Sequence, residues 1–169
     1  IVRQGKALYV GISKYPKEAA EFAYKYLAER DVHCLLYQGK YNLFNREPEE
    51  EGILRQAKEN GTGFIAFSPL AQGLLTNRYL NGIPEDSRMA RGGFLKKEQL
   101  TEEVLSKIKV LNKMAEERGQ TLAEMALAWV LKDDLVTSVI IGASSVAQLE
   151  DNLKAIRNTS FTKEELRRL

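Results

Sequence analysis

In Ala7-Leu8-Tyr9-Val10-Gly11-Ile12-Ser13-Lys14-Tyr15-Pro16 the sequence sets a short apolar segment directly before a turn that contains proline. Val10 and Ile12 are β-branched, which favours a strand, and Pro16 stands where a helix can open. Over residues 17–30 the apolar side chains then recur at the spacing of one face of an amphipathic helix. The stretch therefore predicts one strand followed by one helix.

The same strand-then-helix pattern recurs three more times along the chain. Apolar runs predict further strands at residues 32–38, 64–67 and 136–141, each followed by helical spacing. After the third strand comes a loop of about thirty residues, a length that is usually functional, and then two helices at residues 101–118 and 121–132. Such alternation requires parallel strands joined by right-handed helical crossovers.

Four strand-helix units fit two folds of the α/β class. They make half of a (β/α)₈ TIM barrel, whose usual size is about 250 residues. They also match a four-stranded flavodoxin-like sheet, although no Gly-x-Gly-x-x-Gly or Walker-type glycine run is present. The length of 169 residues predicts a single domain spanning residues 1–169, and the pattern alone leaves the two folds open.

The composition argues against several classes of function. Twenty-five Lys and Arg residues against 23 Asp and Glu residues give a formal charge of +2, too balanced for binding nucleic acid or a membrane through bulk charge. One Cys and one His exclude an internal disulfide framework and a multi-His metal site. No apolar run reaches the ~20 residues of a membrane span and no signal peptide opens the chain, so we expect a cytoplasmic protein. Because the first residue is Ile1 rather than Met, we also expect a piece of a longer protein.

Small or polar residues follow each predicted strand and mark the candidate site, because ligands bind at the carboxyl ends of parallel strands. After the last strand, Ser145 and Gln148 have the spacing of a plain capping box, and the same helix start could hold a phosphate. Four cations in these loops are candidates for phosphate binding: Lys14, Arg78, Arg88 and Arg91. The alternative is that they are solvated surface charges, which is the better interpretation for Arg91.

The single histidine and the single cysteine are neighbours on the second predicted strand. Successive strand side chains point to opposite faces, so His33 and Cys34 cannot converge as a catalytic pair. We expect both to lie in the core or in a barrel wall. Tyr9, Tyr37 and Tyr41 are likewise expected to pack rather than to transfer protons, since no base partner is evident.

Four segments, residues 5–13, 38–46, 67–76 and 141–152, follow one another in the order of a known family and cover almost the whole chain. They resemble the carboxyl-terminal half of the aldo-keto reductases. The phrase Tyr-Leu-Asn-Gly-Ile-Pro at residues 79–84 is similar to the branch that holds bacterial glyceraldehyde-phosphate reductases and potassium-channel beta subunits. The resemblance implies a parallel (β/α)₈ barrel, of which this chain covers about the last four βα units.

The resemblance also implies a cofactor, NADPH, bound in extended form at the rim of the barrel. Ser13 and Gln38 would hydrogen-bond the nicotinamide carboxamide, and Phe67 would stack against the nicotinamide ring. The residues implied to line the pyrophosphate are Ser68, Leu70, Gln72, Arg78 and Arg88. The residues implied to hold the adenosine and its 2′-phosphate are Gly142, Ser144, Gln148, Asp151 and Asn152.

The activity implied by the resemblance is hydride transfer from NADPH to an aldehyde or ketone. The catalytic Asp, Tyr, Lys and His of the family lie on the first four strands, which would precede Ile1, so no residue here is assigned a catalytic role and the chain alone is expected to be inactive. One alternative is a non-catalytic, nucleotide-sensing subunit similar to the channel-associated branch. Another is a true half-barrel, whose bare strand edges would make it a homo-oligomer or poorly soluble.

Overall fold

The structure is a computed structural model that describes residues 1–85, 87, 89–90, 92 and 95–169. Two of the candidate cations, Arg88 and Arg91, lie outside the described residues. The chain forms two compact units, one made of residues 1–69 and 133–141 and the other of residues 70–132 and 142–169. Within the described ranges, none of the helices combines the length and the apolar character that a membrane crossing requires.

The first unit is built on a parallel sheet of four strands in the order β1-β2-β3-β4. These strands are Val10–Ser13, Cys34–Lys40, Gly63–Phe67 and Ser138–Val139, in chain order. The prediction of four parallel strands is confirmed. Strand β4 is shorter than the sequence predicts, yet Thr137 and Ile140 on either side of it still donate backbone hydrogen bonds to carbonyls of β3.

The sheet buries one of its two faces. Side chains alternate between faces along a strand, and four buried residues from three strands share one face: Ile12, Tyr37, Phe64 and Ala66. Ile65 and Phe67 alternate with the buried residues of β3 and are only half-buried. The unbroken apolar run of β3 predicts burial on both faces. That prediction is wrong, because the face of β3 that carries Ile65 and Phe67 is less covered than the face that carries Phe64 and Ala66.

Three helices accompany the sheet in the first unit: α1 at Lys17–Ala28, α2 at Glu47–Glu50 and α3 at Ile53–Glu59. The apolar spacing predicts that α1 packs through Ala19, Phe22, Ala23, Tyr26 and Leu27. That prediction is wrong for Phe22 and Tyr26, which are 69% and 47% exposed, and the residues that α1 buries are Ala20 and Tyr24. The sequence predicts one continuous helix up to residue 60, but the chain breaks at Gly52, whose φ of 77° lies in the left-handed region. Glycine reaches that region without a steric penalty, so α2 and α3 are separate helices.

The described residues of the second unit form four α-helices: α4 at Glu102–Glu117, α5 at Leu122–Val130, α6 at Val146–Leu153 and α7 at Lys163–Arg168. Short 3₁₀ turns interrupt the long loop at Ala71–Gly73, Asn77–Tyr79 and Lys97–Gln99, and another follows α6. Nearly every residue of α5 is buried, as its apolar character predicts. The Thr-x-x-Glu spacing at Thr121 and at Thr162 predicts a capping box at the start of α5 and of α7, and both boxes are present.

Candidate functional site

At the carboxyl end of the sheet, Ser13 and Gln38 are register partners on the neighbouring strands β1 and β2. The Ser13 hydroxyl donates to Gln38 Oε1 over 3.5 Å, and the Ser13 side chain is exposed while Gln38 is half-buried. Phe67 pairs in register with Lys40, two residues beyond Gln38, and so lies on the same face of the sheet. The structure therefore brings Ser13, Gln38 and Phe67 to one accessible face.

The loop between β1 and α1 continues from this edge. Lys14 adopts a left-handed φ of 59°, and its backbone N–H donates to the Gln38 carbonyl over 3.0 Å. A cavity of about 600 Å³ opens beside the loop, on the side of the sheet where Tyr37 is buried. Its lining carries ammonium groups and carboxylates in equal number: Lys14, Lys17, Lys40, Glu18, Glu47 and Glu51.

The carboxyl end of β3 is fixed by a buried amide side chain. Asn42 is fully buried, and its Nδ2 donates to the Ser68 carbonyl over 2.9 Å while its Oδ1 accepts from the Phe44 N–H over 2.9 Å. Ser68 itself has a left-handed φ of 53°. Asn42 is not among the predicted site residues, although an Asn inside the apolar run of residues 41–44 is a signal for a buried, satisfied amide.

In the second unit, the segment Leu70–Gly73 has strained backbone. Ala71 and Gln72 are consecutive left-handed residues, with φ of 46° and 61°, and Gly73 donates its N–H to the Leu70 carbonyl over 2.8 Å. Such conformations cost free energy and cluster at ligand-binding sites. The side chains of Leu70 and Gln72 are half-buried, whereas Arg78, further along the same loop, is exposed.

The start of α6 differs in detail from the predicted capping box. The Ser145 hydroxyl accepts the Gln148 N–H as a cap should, over 3.2 Å. The Gln148 side-chain oxygen, however, accepts from the N–H and the hydroxyl of Ser144, one residue before the cap, at 2.7 and 3.0 Å. Gly142 and Ser144 are exposed, so the loop that leads into α6 is accessible.

Two neighbouring polar side chains on α6 have different surroundings. Asp151 is exposed and pairs with Lys154 over 2.6 Å. Asn152 is buried, and within the described part of the chain its Nδ2 has no hydrogen-bond partner. A buried amide donor in that state costs about 1–3 kcal/mol, which makes Asn152 a candidate for a contact to a ligand.

Cys34, the first residue of β2, and His33, directly before it, have separate environments. His33 is exposed and its Nε2 lies 3.1 Å from the Gly61 carbonyl, so the expectation that it is a core residue is wrong. Cys34 is buried as expected, and burial raises the pKa of its thiol. Tyr37 and Tyr41 are buried, as expected, whereas Tyr9 is exposed. The described residues hold no group of three or more His, Cys, Asp or Glu side chains able to bind a metal.

The fold matches that of a solved barrel enzyme. The crystal structure of a thermostable aldo-keto reductase in complex with the inhibitor epalrestat aligns with 98% of this chain and 48% of its own, with a TM-score of 0.68 and 26% sequence identity. This chain is therefore an α/β protein that forms part of a (β/α)₈ barrel, about half of the full architecture.

The sequence comparisons define the family. The family model described as "Aldo/keto reductase family" matches residues 1–169, and this chain belongs to that family. It is 52% identical over 169 residues to L-glyceraldehyde 3-phosphate reductase from Escherichia coli, and 36% identical over 160 residues to a probable voltage-gated potassium channel subunit beta from Arabidopsis thaliana. These alignments cover 98% and 92% of this chain, which spans about half the length of either relative, 49% in both cases.

Proposed function

We propose that this chain is a single-domain, carboxyl-terminal half of an NADPH-dependent aldo-keto reductase of the cytoplasm. In this proposal it supplies cofactor-binding residues, and the catalytic residues lie in the other half of the barrel. Membership of the family and the half-length alignment with a reductase support the proposal. The observation that carries it is the placement of Ser13, Gln38 and Phe67 on one accessible face at the carboxyl end of the sheet.

The residues at this edge fit the nicotinamide end of the cofactor. A carboxamide has one acceptor oxygen and two N–H donors. The Ser13 hydroxyl can donate to that oxygen, and Gln38 Oε1 can accept from the amide nitrogen, because the two groups lie 3.5 Å apart on adjacent strands. Phe67 offers an apolar ring on the same sheet face for stacking. Together these residues would fix which face of the nicotinamide ring is presented.

The residues of the second unit fit the adenosine end. Asn152 has a buried amide donor that lacks a partner in the described structure, and a nucleotide acceptor would satisfy it. Ser144 presents an exposed hydroxyl before α6, where backbone dipoles favour an anion such as a 2′-phosphate. The other proposed adenosine contacts are Gly142, Gln148 and Asp151. The proposed pyrophosphate contacts, which come from both units, are Ser68, Leu70, Gln72, Arg78 and Arg88.

The chemistry divides between the cofactor and the chain. NADPH, when bound, supplies a hydride to the carbonyl carbon of an aldehyde or ketone. The residues of this chain would bind and orient the nicotinamide through Ser13 and Gln38, which sets the angle of approach. A proton for the carbonyl oxygen must come from a residue outside these 169, so we expect the isolated chain to bind cofactor without reducing substrate.

A binding experiment tests the proposal. NADPH fluorescence is titrated against the purified chain, and a saturable change is expected. Ser13→Ala and Gln38→Ala should each weaken NADPH binding by up to about tenfold, since each removes one net hydrogen bond. Ser106→Ala, at an exposed position of α4, is the matched control and should leave the affinity unchanged. Absence of NADPH binding by the unchanged chain would overturn the proposed function.

A second candidate function is a nucleotide-sensing regulatory subunit. It is favoured by the 36% identity to the probable potassium channel subunit beta. The two functions differ in turnover. A protein carrying these residues together with the other barrel half should consume NADPH in the presence of an aldehyde if it is a reductase. A sensor should bind NADPH with similar affinity and reduce aldehyde negligibly.

A further inference from the structure

Two hydrogen bonds between β2 and the loop that joins β1 to α1 hold that loop. The Lys14 N–H donates to the Gln38 carbonyl over 3.0 Å, which extends the strand pairing one residue beyond Ser13. The Tyr37 hydroxyl donates to the Tyr15 carbonyl over 2.5 Å. The residues on either side of the Lys14–Tyr15 peptide bond are thus each tied to β2, directly after the serine that the proposed function places at the cofactor.

The ring of Tyr37 has little freedom to move. It stacks on Phe64 with centroids 5.4 Å apart and an angle of 12° between the rings, and Tyr37 is only 2% exposed. Gly39 leaves the space for this arrangement, because a Cβ there would lie 2.6 Å from Phe64 Cζ and 3.1 Å from Tyr37 Cε1. Burial raises the pKa of Tyr37, so its hydroxyl stays protonated and can donate at neutral pH.

Tyr37 and Gln38 face opposite sides of the sheet. Gln38 lies on the accessible face beside Ser13, whereas Tyr37 lies on the buried face and reaches the loop from there. Strand β2 therefore carries one proposed cofactor contact, Gln38. Its neighbouring residue, Tyr37, restrains the loop that follows the other proposed contact, Ser13. Loss of the Tyr37 hydroxyl would leave the Tyr15 carbonyl without this restraint and let the loop move relative to Gln38.

We propose that Tyr37 is a positioning residue for the nicotinamide end of the cofactor site. The inference rests on the proposed function, because it assumes that Ser13 and Gln38 bind the carboxamide. Tyr37 does not touch the cofactor in this proposal. Its hydroxyl holds the β1–α1 loop so that the Ser13 and Gln38 side chains remain at the separation observed, and the adenosine end of the cofactor is bound independently of it.

The test compares two ligands on Tyr37→Phe, which removes only the hydroxyl. NADPH contains the nicotinamide, and adenosine 2′,5′-bisphosphate does not. We expect Tyr37→Phe to weaken NADPH binding by about tenfold and to leave binding of adenosine 2′,5′-bisphosphate within twofold of the unchanged chain. Tyr26→Phe is the matched control, since it removes a tyrosine hydroxyl from an exposed position on α1, and both affinities should be unchanged.

The outcomes separate the inference from the proposed function. If the unchanged chain binds NADPH and Tyr37→Phe binds it equally well, Tyr37 does not position the site and the inference is wrong. If Tyr37→Phe loses affinity for both ligands together, the hydroxyl serves the fold as a whole, and the inference is again overturned. If the unchanged chain binds neither ligand, the proposed function fails and the inference fails with it.

Discussion

The Arg118 guanidinium pairs with the Glu165 carboxylate across 47 positions of sequence, with Nη1 and Oε1 2.5 Å apart. Arg118 follows α4 directly, and Glu165 lies in α7. The same guanidinium donates to the Ser160 carbonyl over 2.9 Å and lies 3.8 Å from the centroid of the Phe161 ring. Arg118 therefore connects α7 to the end of α4 within the second unit.

Arg118→Ala is expected to lower the free energy of unfolding by about 2–3 kcal/mol. The Arg118 side chain is only 5% exposed, so its removal breaks several charge-assisted hydrogen bonds and leaves the Ser160 carbonyl and Glu165 with fewer partners. Urea denaturation followed by circular dichroism measures the change. Arg168→Ala is the control, because its pair with Glu117 is about half-exposed on both sides and should contribute about 0.5 kcal/mol or less. Equal losses for the two variants would contradict this role of Arg118.

The Arg118–Glu165 pair also predicts a dependence of stability on pH. A hydrogen bond from the Thr162 backbone, and then Arg118, hold the pKa of Glu165 below its ordinary value of 4.5. Glu165 therefore adds stability that is fully present above that value and is lost as the pH falls through the lower, folded-state pKa.

The gap in urea midpoint between the unchanged chain and Glu165→Gln should accordingly shrink between pH 7 and pH 3. Glu103→Gln serves for comparison, since the pKa of Glu103 is also lowered, by Lys107, but the carboxylate is fully exposed. A gap for Glu165→Gln that stays constant with pH would show that the carboxylate is not stabilised in the folded state.

The buried side-chain amide of Asn42 should contribute more to the free energy of unfolding than an exposed amide that makes a similar hydrogen bond. Asn42→Ala leaves the Ser68 carbonyl and the Phe44 N–H without their side-chain partner, and we expect a loss of about 2 kcal/mol in the free energy of unfolding. Asn60→Ala removes a bond to the Gln56 carbonyl at an exposed position and should cost well under 1 kcal/mol. Thermal denaturation of both variants measures the two losses. Similar melting temperatures for Asn42→Ala and Asn60→Ala would contradict the stabilising role given to the buried Asn42 amide.

Gly39→Ala is expected to destabilise the first unit by about 2 kcal/mol through overpacking. The added Cβ would meet the fully buried ring of Phe64 at 2.6 Å, and the ring cannot yield easily. In a Phe64→Leu background the same substitution should cost less, because the atom it meets is gone. A double-mutant cycle measured by urea denaturation checks the coupling, and additive effects would show that the clash is relieved elsewhere.

The sheet edges predict self-association of the isolated 169 residues. Strands β1 and β4 are the two ends of the sheet order, and Tyr9, next to β1, is 69% exposed. Exposed strand edges with apolar side chains pair with other chains. Light scattering after size-exclusion chromatography should detect oligomers that Tyr9→Lys reduces. A monodisperse monomer at micromolar concentration would contradict the prediction.

Local patterns in the sequence were sufficient to predict the order of the elements. Apolar spacing identified the four strands and the main helices, and the caps at Thr121 and Thr162 were visible because a capping box spans four residues. The break at Gly52 was missed, since a glycine inside helical spacing does not by itself reveal its φ. Strand β3 was predicted to be covered on both faces, because an apolar run does not show which of its side chains have a neighbour.

The sequence by itself determined the α/β class and, through its resemblance to a family, the set of candidate cofactor residues. Only the tertiary structure placed Ser13 beside Gln38, buried Asn152, and joined Tyr37 to the Tyr15 carbonyl and Arg118 to Glu165. The physical reason is the separation along the sequence of the residues that interact. Strand and helix periods and caps act over a few residues, whereas these contacts join residues up to 47 positions apart and exist only once strand register and helix packing are fixed.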